Sequence, residues 1–441
     1  MKRIFPAFTY GEGPRQGCWW DETCAIPARP TISEPASADV VVIGGGFTGL
    51  SAALHLARKG ARVHVFEAKR IGWGASGRNG GFCCLGGAKA DDRFLDRKFG
   101  KSGRLEWRAA EKAAVDLVGS ILTAEKISAD RHSRGETALA HRPRDMKSLE
   151  AGAASVRENY GVEPALFFRA DLADQGMSGP FHGAMTIPIG FGLNPAKYLA
   201  GLAAAAERAG ALIFDSSPVR SIEKAAGGYR LCVGDVRVTA NQVVVATNGY
   251  SSEDIPGWLT ARFLPTQSNV LVTRPLTDKE LSDQGWTSDQ MSYDTRNLLH
   301  YFRLMPDQRF LFGMRGGVFS GPGAEQKARR AVRRDFEQMF PAWAHAESQN
   351  SWSGLVSLAR SRMPFAGAVP GSPGMWAGLC YHGNGVAMGT LTGSILASLV
   401  SGEQPACYPK AMRTPPGKFP LGAARRLLVL PLYAGLRLKD L

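Results

Sequence analysis

Gly44, Gly46 and Gly49 stand at G-x-G-x-x-G spacing, and Glu67 follows 18 residues after the last of them. These residue types suit the holding of a dinucleotide. Gly44 permits a tight turn, Gly46 lets the backbone approach a pyrophosphate, and Gly49 lets a helix pack closely on a strand. An acid in the place of Glu67 accepts hydrogen bonds from ribose hydroxyls. Three spaced glycines alone would equally describe a plain turn, so the flanking elements must carry the reading. Val40–Ile43 is an apolar, β-branched run that reads as a buried strand. Leu50, Ala53, Leu54 and Ala57 repeat at i, i+3, i+4, i+7, the pattern of a helix with one apolar face. Gly60 ends that helix, and Arg62–Phe66 forms a second strand ending at Glu67. Phe47 and Thr48 lie in the first helical turn, whose free N–H groups meet phosphates, and Ala68 and Lys69 continue from the acid beside the same ligand.

Three further stretches bear on the reading, although one of them, Gln242–Tyr250, says by itself only that the chain has an α/β sheet core. Gly72–Gly81 is rich in glycine and serine yet holds Trp73, Arg78 and Asn79. Its members Gly74, Ala75, Ser76, Arg78, Asn79, Gly80 and Gly81 would bring backbone amides to a planar ring system and a second phosphate. Gln242–Tyr250 is a strand that empties into the small-residue turn Thr247, Asn248, Gly249. Near the end of the chain, Gly383, Asn384, Gly385, Val386, Ala387 and Met388 form a turn and helix start after a strand ending at Leu379. Gly389, Gly393 and Ala397, four apart on that helix, permit close helix packing.

The combination V-V-I-G-G-G-F-T-G-L, then F-E-A, then G-A-S-G-R-N-G-G, resembles the FAD-dependent D-amino-acid oxidase superfamily. That family includes sarcosine, glycine and γ-glutamylputrescine oxidases, and the wording is most similar to the last branch. The resemblance runs intermittently from about residue 38 to about 402. It implies an α/β fold: a discontinuous Rossmann-like FAD-binding domain, built of a parallel sheet and a three-stranded β-meander, with a second α+β substrate domain of mixed or antiparallel sheet. It also implies that Val219 lies beside the adenine, that the Ala246–Gly249 turn closes over the cofactor, and that the Gly383–Met388 loop contacts the isoalloxazine. That helix start would direct its dipole at the flavin pyrimidine edge. Some relatives hold the flavin through a cysteine; the matching stretch 352–367 has none, so the FAD is expected to be non-covalent.

Flavin amine oxidation asks little of the protein beyond orienting the substrate and keeping the amine neutral, because the flavin takes the hydride and water hydrolyses the imine. A missing Ser/His/Asp or paired-carboxylate site therefore does not exclude an enzyme. A carboxylate on the substrate would call for an Arg clamp, for which Arg303 and Arg315 near the ends of a hairpin are candidates, with a surface role as the alternative. Leu298–Met305 and Arg309–Met314 flank the turn Pro306-Asp307-Gln308. Alternation puts Tyr301, Arg303 and Met305 on one face and His300, Phe302 and Leu304 on the other, without deciding which covers the cavity. Tyr301, Tyr250 and His300 are candidate cavity residues. His382 is a further candidate, with a loop histidine that holds its turn as the alternative.

The expected organisation is an arm at 1–37, FAD-binding segments at 38–94, 191–250 and 352–402, substrate-domain segments at 95–190 and 251–351, and a tail at 403–441. Residues 95–190 carry helices around Trp107–Lys126 but no chemical signature, and Gln326–Met339 reads as a basic amphipathic helix of solvated surface. The 441 residues carry a formal charge of +14, but Lys and Arg are scattered, so no nucleic-acid partner is expected. Seven cysteines, an odd number without zinc-ligand spacing, point to reduced thiols and no metal site. No signal peptide or spanning segment is read, and a cytoplasmic location is the expectation. Leu421–Leu441 is apolar with basic residues; docking on the body is the first reading and weak peripheral membrane contact the second. Three functions remain open: an oxidase passing electrons from an amine or amino acid to oxygen, a dehydrogenase delivering them to a quinone or other carrier, and a non-catalytic flavin-binding subunit.

Overall fold

The computed structural model describes residues 1–440. Two large sheets organise it. The first runs in the order Phe365–Ala368, Met375–Leu379, Val236–Val245, Ala36–Ile43, Val63–Phe66, Leu212–Phe214. All neighbouring pairs are parallel except the first. Central strands covered on both faces must be apolar throughout, which is why Val40–Ile43 and Val243–Val245 are unbroken β-branched runs. Val236–Val245 is long enough to serve twice. From Val238 to Val245 it pairs with Ala36–Ile43 on one side, and on the other its first half closes a three-stranded antiparallel meander with Gly228–Val233 and Val219–Ala225.

Helices Phe47–Arg58, Pro195–Arg208 and Gly385–Val400 cover one face of this sheet, with Asp92–Ala124 packed behind them. The small residues on helix Gly385–Val400 have the expected packing effect. A Cβ on Gly393 would lie 2.6 Å from Ser51 Cβ and 2.7 Å from Ala52 N, so only glycine lets the two helices cross there. Asp92–Ala124 is broken once, at Gly100 with φ +74°.

The second sheet is ordered Asn350–Leu358, Leu264–Pro275, Arg309–Arg315, His300–Leu304, Met291–Asp294, Glu136–Leu139, Gly183–Ile187, Ala165–Phe168. It is antiparallel apart from the junction of Met291–Asp294 with Glu136–Leu139. One face packs on helix Pro322–Met339, the other looks toward the first sheet. The expectation that the basic stretch 326–339 is only solvated surface does not hold. Its charges mask a stripe of Val332, Phe336 and Met339, buried against Phe310, Phe312, Phe340 and Trp343.

The tail docks on the body. Arg425 is fully buried, bonded to the Phe263 carbonyl at 2.9 Å and paired with Glu253 at 2.8 Å. Helix Val429–Asp440 is pinned at its end, where Asp440 accepts from Asn297 N at 2.7 Å and Leu298 N at 3.0 Å. Leu427, Leu430, Leu432 and Leu438 remain exposed. Among the described residues, no helix is long and apolar enough to cross a membrane.

Candidate active site

A cavity of about 740 Å³ runs between the two sheets. At one end it is built by the glycine turn. Gly44 has φ +109°, a conformation that an L side chain rarely adopts, and a Cβ on Gly46 would stand 2.7 Å from Ser76 Oγ. Helix Phe47–Arg58 starts at Gly46 and helix Gly385–Val400 at Asn384, and neither of these two residues caps its own helix with a side chain. Two positive helix ends therefore face one cavity. Glu67 accepts from Gly45 N at 2.8 Å and Lys69 N at 2.9 Å, which fixes its carboxylate at the end of the second strand. Burial raises its pKa despite those bonds. Such a donor and acceptor set, elongated and glycine-walled, fits FAD: the Gly44–Thr48 turn would hold the pyrophosphate, Glu67 a ribose, and the 383–386 loop the ring.

Side chains stitch these segments together. Ser76 Oγ accepts from Phe47 N at 3.1 Å, Thr48 Oγ1 meets the Tyr381 hydroxyl at 2.7 Å, and Asn248 Oδ1 accepts from Cys380 N at 2.9 Å. Cys380, His382 and Asn248 all take positive φ, so strain gathers where the late loop meets the Thr247–Gly249 turn. The N-terminal arm braces the Gly72–Gly81 loop: Arg15 donates to the Gly72 and Trp73 carbonyls, and Trp20 Nε1 to that of Asn79. Arg78 lies buried over the Trp73 ring at 4.2 Å, its pKa lowered by burial.

Of the expected cofactor residues, Gly44, Gly46, Phe47, Thr48, Glu67, Ala68, Lys69, Gly74, Ala75, Ser76, Arg78, Asn79, Gly80, Val219, Thr247, Asn248, Gly383, Asn384, Gly385 and Val386 line the cavity. Gly49, Gly81, Gly249, Ala387 and Met388 do not. Gly49 serves the helix–turn contact instead, since a Cβ there would overlap the Gly44 carbonyl. Gly81 abuts the Leu193 carbonyl, Gly249 packs behind Leu355, and Ala387 and Met388 are buried in the helix layer.

At the other end, Tyr301, Arg315, Tyr250 and His382 line the cavity. Tyr301 lies across the second sheet, its ring over Gly313 and 2.8 Å from where a Gly80 Cβ would be, with its hydroxyl 3.0 Å from Ser268 Oγ. The Arg315 guanidinium has no hydrogen-bond or ion-pair partner among the described residues, and burial lowers its pKa. The Tyr250 hydroxyl accepts from Leu355 N at 3.2 Å. Burial, with the Lys89 and Arg315 cations, pulls His382 down to about 3, so its imidazole stays neutral.

Two expected residues face elsewhere. His300 points away from the cavity, stacked on Phe312, with Nδ1 2.7 Å from Asp294 and Nε2 3.3 Å from Asp335. The cavity takes the Tyr301 face of the strand, which turns His300 toward helix Pro322–Met339. Arg303 shares the Tyr301 face but sits two residues farther along, where Phe82 and Trp20 cover it. It donates to the Leu193 carbonyl and to His132 Nε2, both at 2.8 Å, and so ties strands together.

Cavity residues that the sequence did not reveal include Lys89, Glu136, Tyr293, Cys84 and Ser268. Lys89 is an exposed residue that opens on the cavity, yet desolvation by the protein around it, with the Arg315 cation, brings it down to about 7. Burial pushes Glu136 up to about 7 even though Leu85 N and the Tyr293 hydroxyl donate to it at 3.0 and 3.2 Å. Glu136 sits in the four-residue strand Glu136–Leu139, which is buried throughout and carries no motif or alternation that would single it out. Among the described residues no cluster of His, Cys, Asp and Glu could hold a metal ion.

Comparison with known proteins agrees with this geometry. Residues 39–399 match the family model described as DAO, FAD dependent oxidoreductase. The chain is 30% identical over 395 residues to a probable oxidoreductase OrdL of Rhizobium meliloti, covering 87% of this chain and 88% of that one. It is 29% identical over 378 residues to the γ-glutamylputrescine oxidoreductase of Escherichia coli, covering 85% and 86%. The crystal structure of glycine oxidase from Geobacillus kaustophilus superposes with a TM-score of 0.69 at 20% identity, covering 86% of this chain and 98% of that one, a likeness of fold. The chain belongs to the DAO family of FAD-dependent oxidoreductases.

Proposed function

We propose that this chain oxidises the C–N bond of an amine or amino acid and passes the electrons to oxygen, with FAD held non-covalently. The observation that carries the reading is Arg315, a cation in the cavity wall whose guanidinium no group among the described residues satisfies. Such a group favours a substrate with a carboxylate, which a guanidinium grips through two parallel hydrogen bonds. When bound, FAD supplies the acceptor for the hydride that leaves the carbon bearing the amine. The protein's part is to hold and orient. Arg315 fixes the carboxylate, Tyr301 walls the cavity beside it, and Lys89, poised near neutrality, takes the proton that the ammonium loses. Neutral His382 adds no charge against the substrate.

A dehydrogenase is the second reading, favoured by exposed Leu427, Leu430, Leu432 and Leu438 beside Arg437 and Lys439 on the docked tail, a surface suited to a membrane carrying a quinone. One experiment separates the readings. The flavin of the purified protein is challenged anaerobically with a panel of amines and amino acids, then mixed with oxygen. Bleaching followed by rapid reoxidation with peroxide supports the oxidase, and slow reoxidation the dehydrogenase. No bleaching by any amine refutes both. Acid precipitation should release the yellow colour; a pellet that stays yellow refutes non-covalent binding.

A further inference from the structure

Glu136 is the least expected group in the cavity. Its residue is 6% exposed, it lines the cavity wall, and no cation pairs with it among the described residues. The carboxylate is held in place by Leu85 N at 3.0 Å and the Tyr293 hydroxyl at 3.2 Å. A buried carboxylate is costly unless it is paired, so one held without a cation at a cavity wall is a partner awaiting its ligand. The opposite case stands across the sheet, where Arg315 has no anion beside it among the described residues.

The register shows that the two do not satisfy each other. Glu136 is level with Met291, Tyr293 with Tyr301, and Tyr301 with Gly313. Arg315 is therefore three strands across and four residues along from Glu136, a Cα separation on the order of 19 Å from ordinary strand spacing and rise. The side chains are too short to meet over that distance, and Tyr293 and Tyr301 lie between them on the same face.

We infer that Glu136 anchors a protonated nitrogen of the substrate, and that the substrate class is an amino acid with a second basic nitrogen, its carboxylate on Arg315 and its far cation on Glu136. This rests on the amine-oxidation reading above. The nitrogen at Glu136 is not the one oxidised. A carboxylate beside a nitrogen stabilises its charged form, whereas loss of hydride from the neighbouring carbon needs it neutral. Glu136 faces Cys84, Tyr293, Glu111 and Tyr160. Arg108, beside Glu111 in that group, is already paired with it at 2.8 Å. The anchor should strengthen as pH rises through about 7, where Glu136 becomes charged.

The test compares matched pairs, ornithine with norvaline and lysine with norleucine, in both enantiomers, by anaerobic flavin reduction in wild type and E136Q. Wild type should reduce faster with the diamino member of each pair. E136Q should lose at least about thirtyfold in reduction rate over Kd for the diamino members and keep its rate with the neutral ones. Equal loss for both members, or no loss, overturns the proposal. A second measurement does not depend on turnover. The tert-butylammonium ion has no α-hydrogen and cannot be oxidised, and it should raise the melting temperature of wild type increasingly above neutral pH and leave E136Q unmoved. If no amine bleaches the flavin, the oxidation reading fails, and this shift alone then decides whether the cation site stands. A shift of equal size in both proteins refutes it.

Discussion

Replacing Gly49 with alanine isolates the contact that sets the cofactor turn. The added Cβ would lie about an ångström inside its closest allowed approach to the Gly44 carbonyl oxygen, and 3.2 Å from Val42 Cγ1. The obstructing atom is backbone, so it cannot swing aside as a side-chain tip would. Overpacking of this kind costs about 1–3 kcal/mol. Without FAD, the helix start can drift away from the turn and relieve most of that strain. With FAD bound, the phosphates need the helix N–H groups and the turn in their native places. The strain should therefore fall on cofactor affinity, weakening the Kd by about 5- to 150-fold while the apoprotein stays nearly as stable. Fluorescence titration of apoprotein with FAD, beside thermal melts of the apoprotein, measures both. Gly152→Ala is the control: that glycine lies in helix Pro143–Tyr160 with nothing within 4 Å of a Cβ, so FAD binding should not change. A G49A protein that binds FAD as tightly as wild type would refute the argument that this contact places the phosphate site.

Arg315→Met should lower kcat/KM for carboxylate-bearing substrates by about 2–5 kcal/mol, roughly thirtyfold to several-thousandfold, and leave simple amines much less affected, as steady-state assays on both would show. The His300 pair gives a pH signature. Burial opposes the charged imidazole, but its bonds to Asp294 and Asp335 prevail and raise its pKa to about 8. That raised pKa means a stabilisation fully present below about pH 6.5, the unfolded value, and lost as pH rises through about 8. Urea unfolding at about pH 6 and about pH 9 should show wild type losing about 2 kcal/mol relative to His300→Gln. Arg425→Ala should destabilise the protein by about 3 kcal/mol or more, because Glu253 would keep a buried charge without a partner. Chemical denaturation reads it, and a loss below about 1 kcal/mol, the range of an exposed pair, would contradict the buried pairing.

How much of the site was legible in the sequence depends on how local its code is. The Gly44–Glu67 unit was readable because strand, turn, helix and second strand are contiguous, and each glycine answers a backbone demand. The Gly72–Gly81 loop was readable because Trp73, Arg78 and Asn79 have no reason to interrupt a linker. Alternation grouped Tyr301 with Arg303, but which face meets the cavity depends on what packs against each side. Helix Pro322–Met339 took the His300 face, and the arm through Trp20 closed off Arg303. Glu136 was hidden because its strand joins the cavity through a parallel pairing with Met291–Asp294, more than 150 residues away in sequence. The basic appearance of 326–339 concealed Phe336, since this helix carries one narrow apolar stripe under many charges.

The most direct test of the central claim is anaerobic reduction of the bound flavin by an accepted amine or amino acid, with hydrogen or deuterium on the carbon bearing the nitrogen. C–N oxidation by hydride removal predicts that the flavin bleaches, and that it bleaches more slowly with the deuterated substrate. A flavin that no amine reduces, or one reduced at the same rate with either isotope under conditions where the chemical step is observed, would contradict the account.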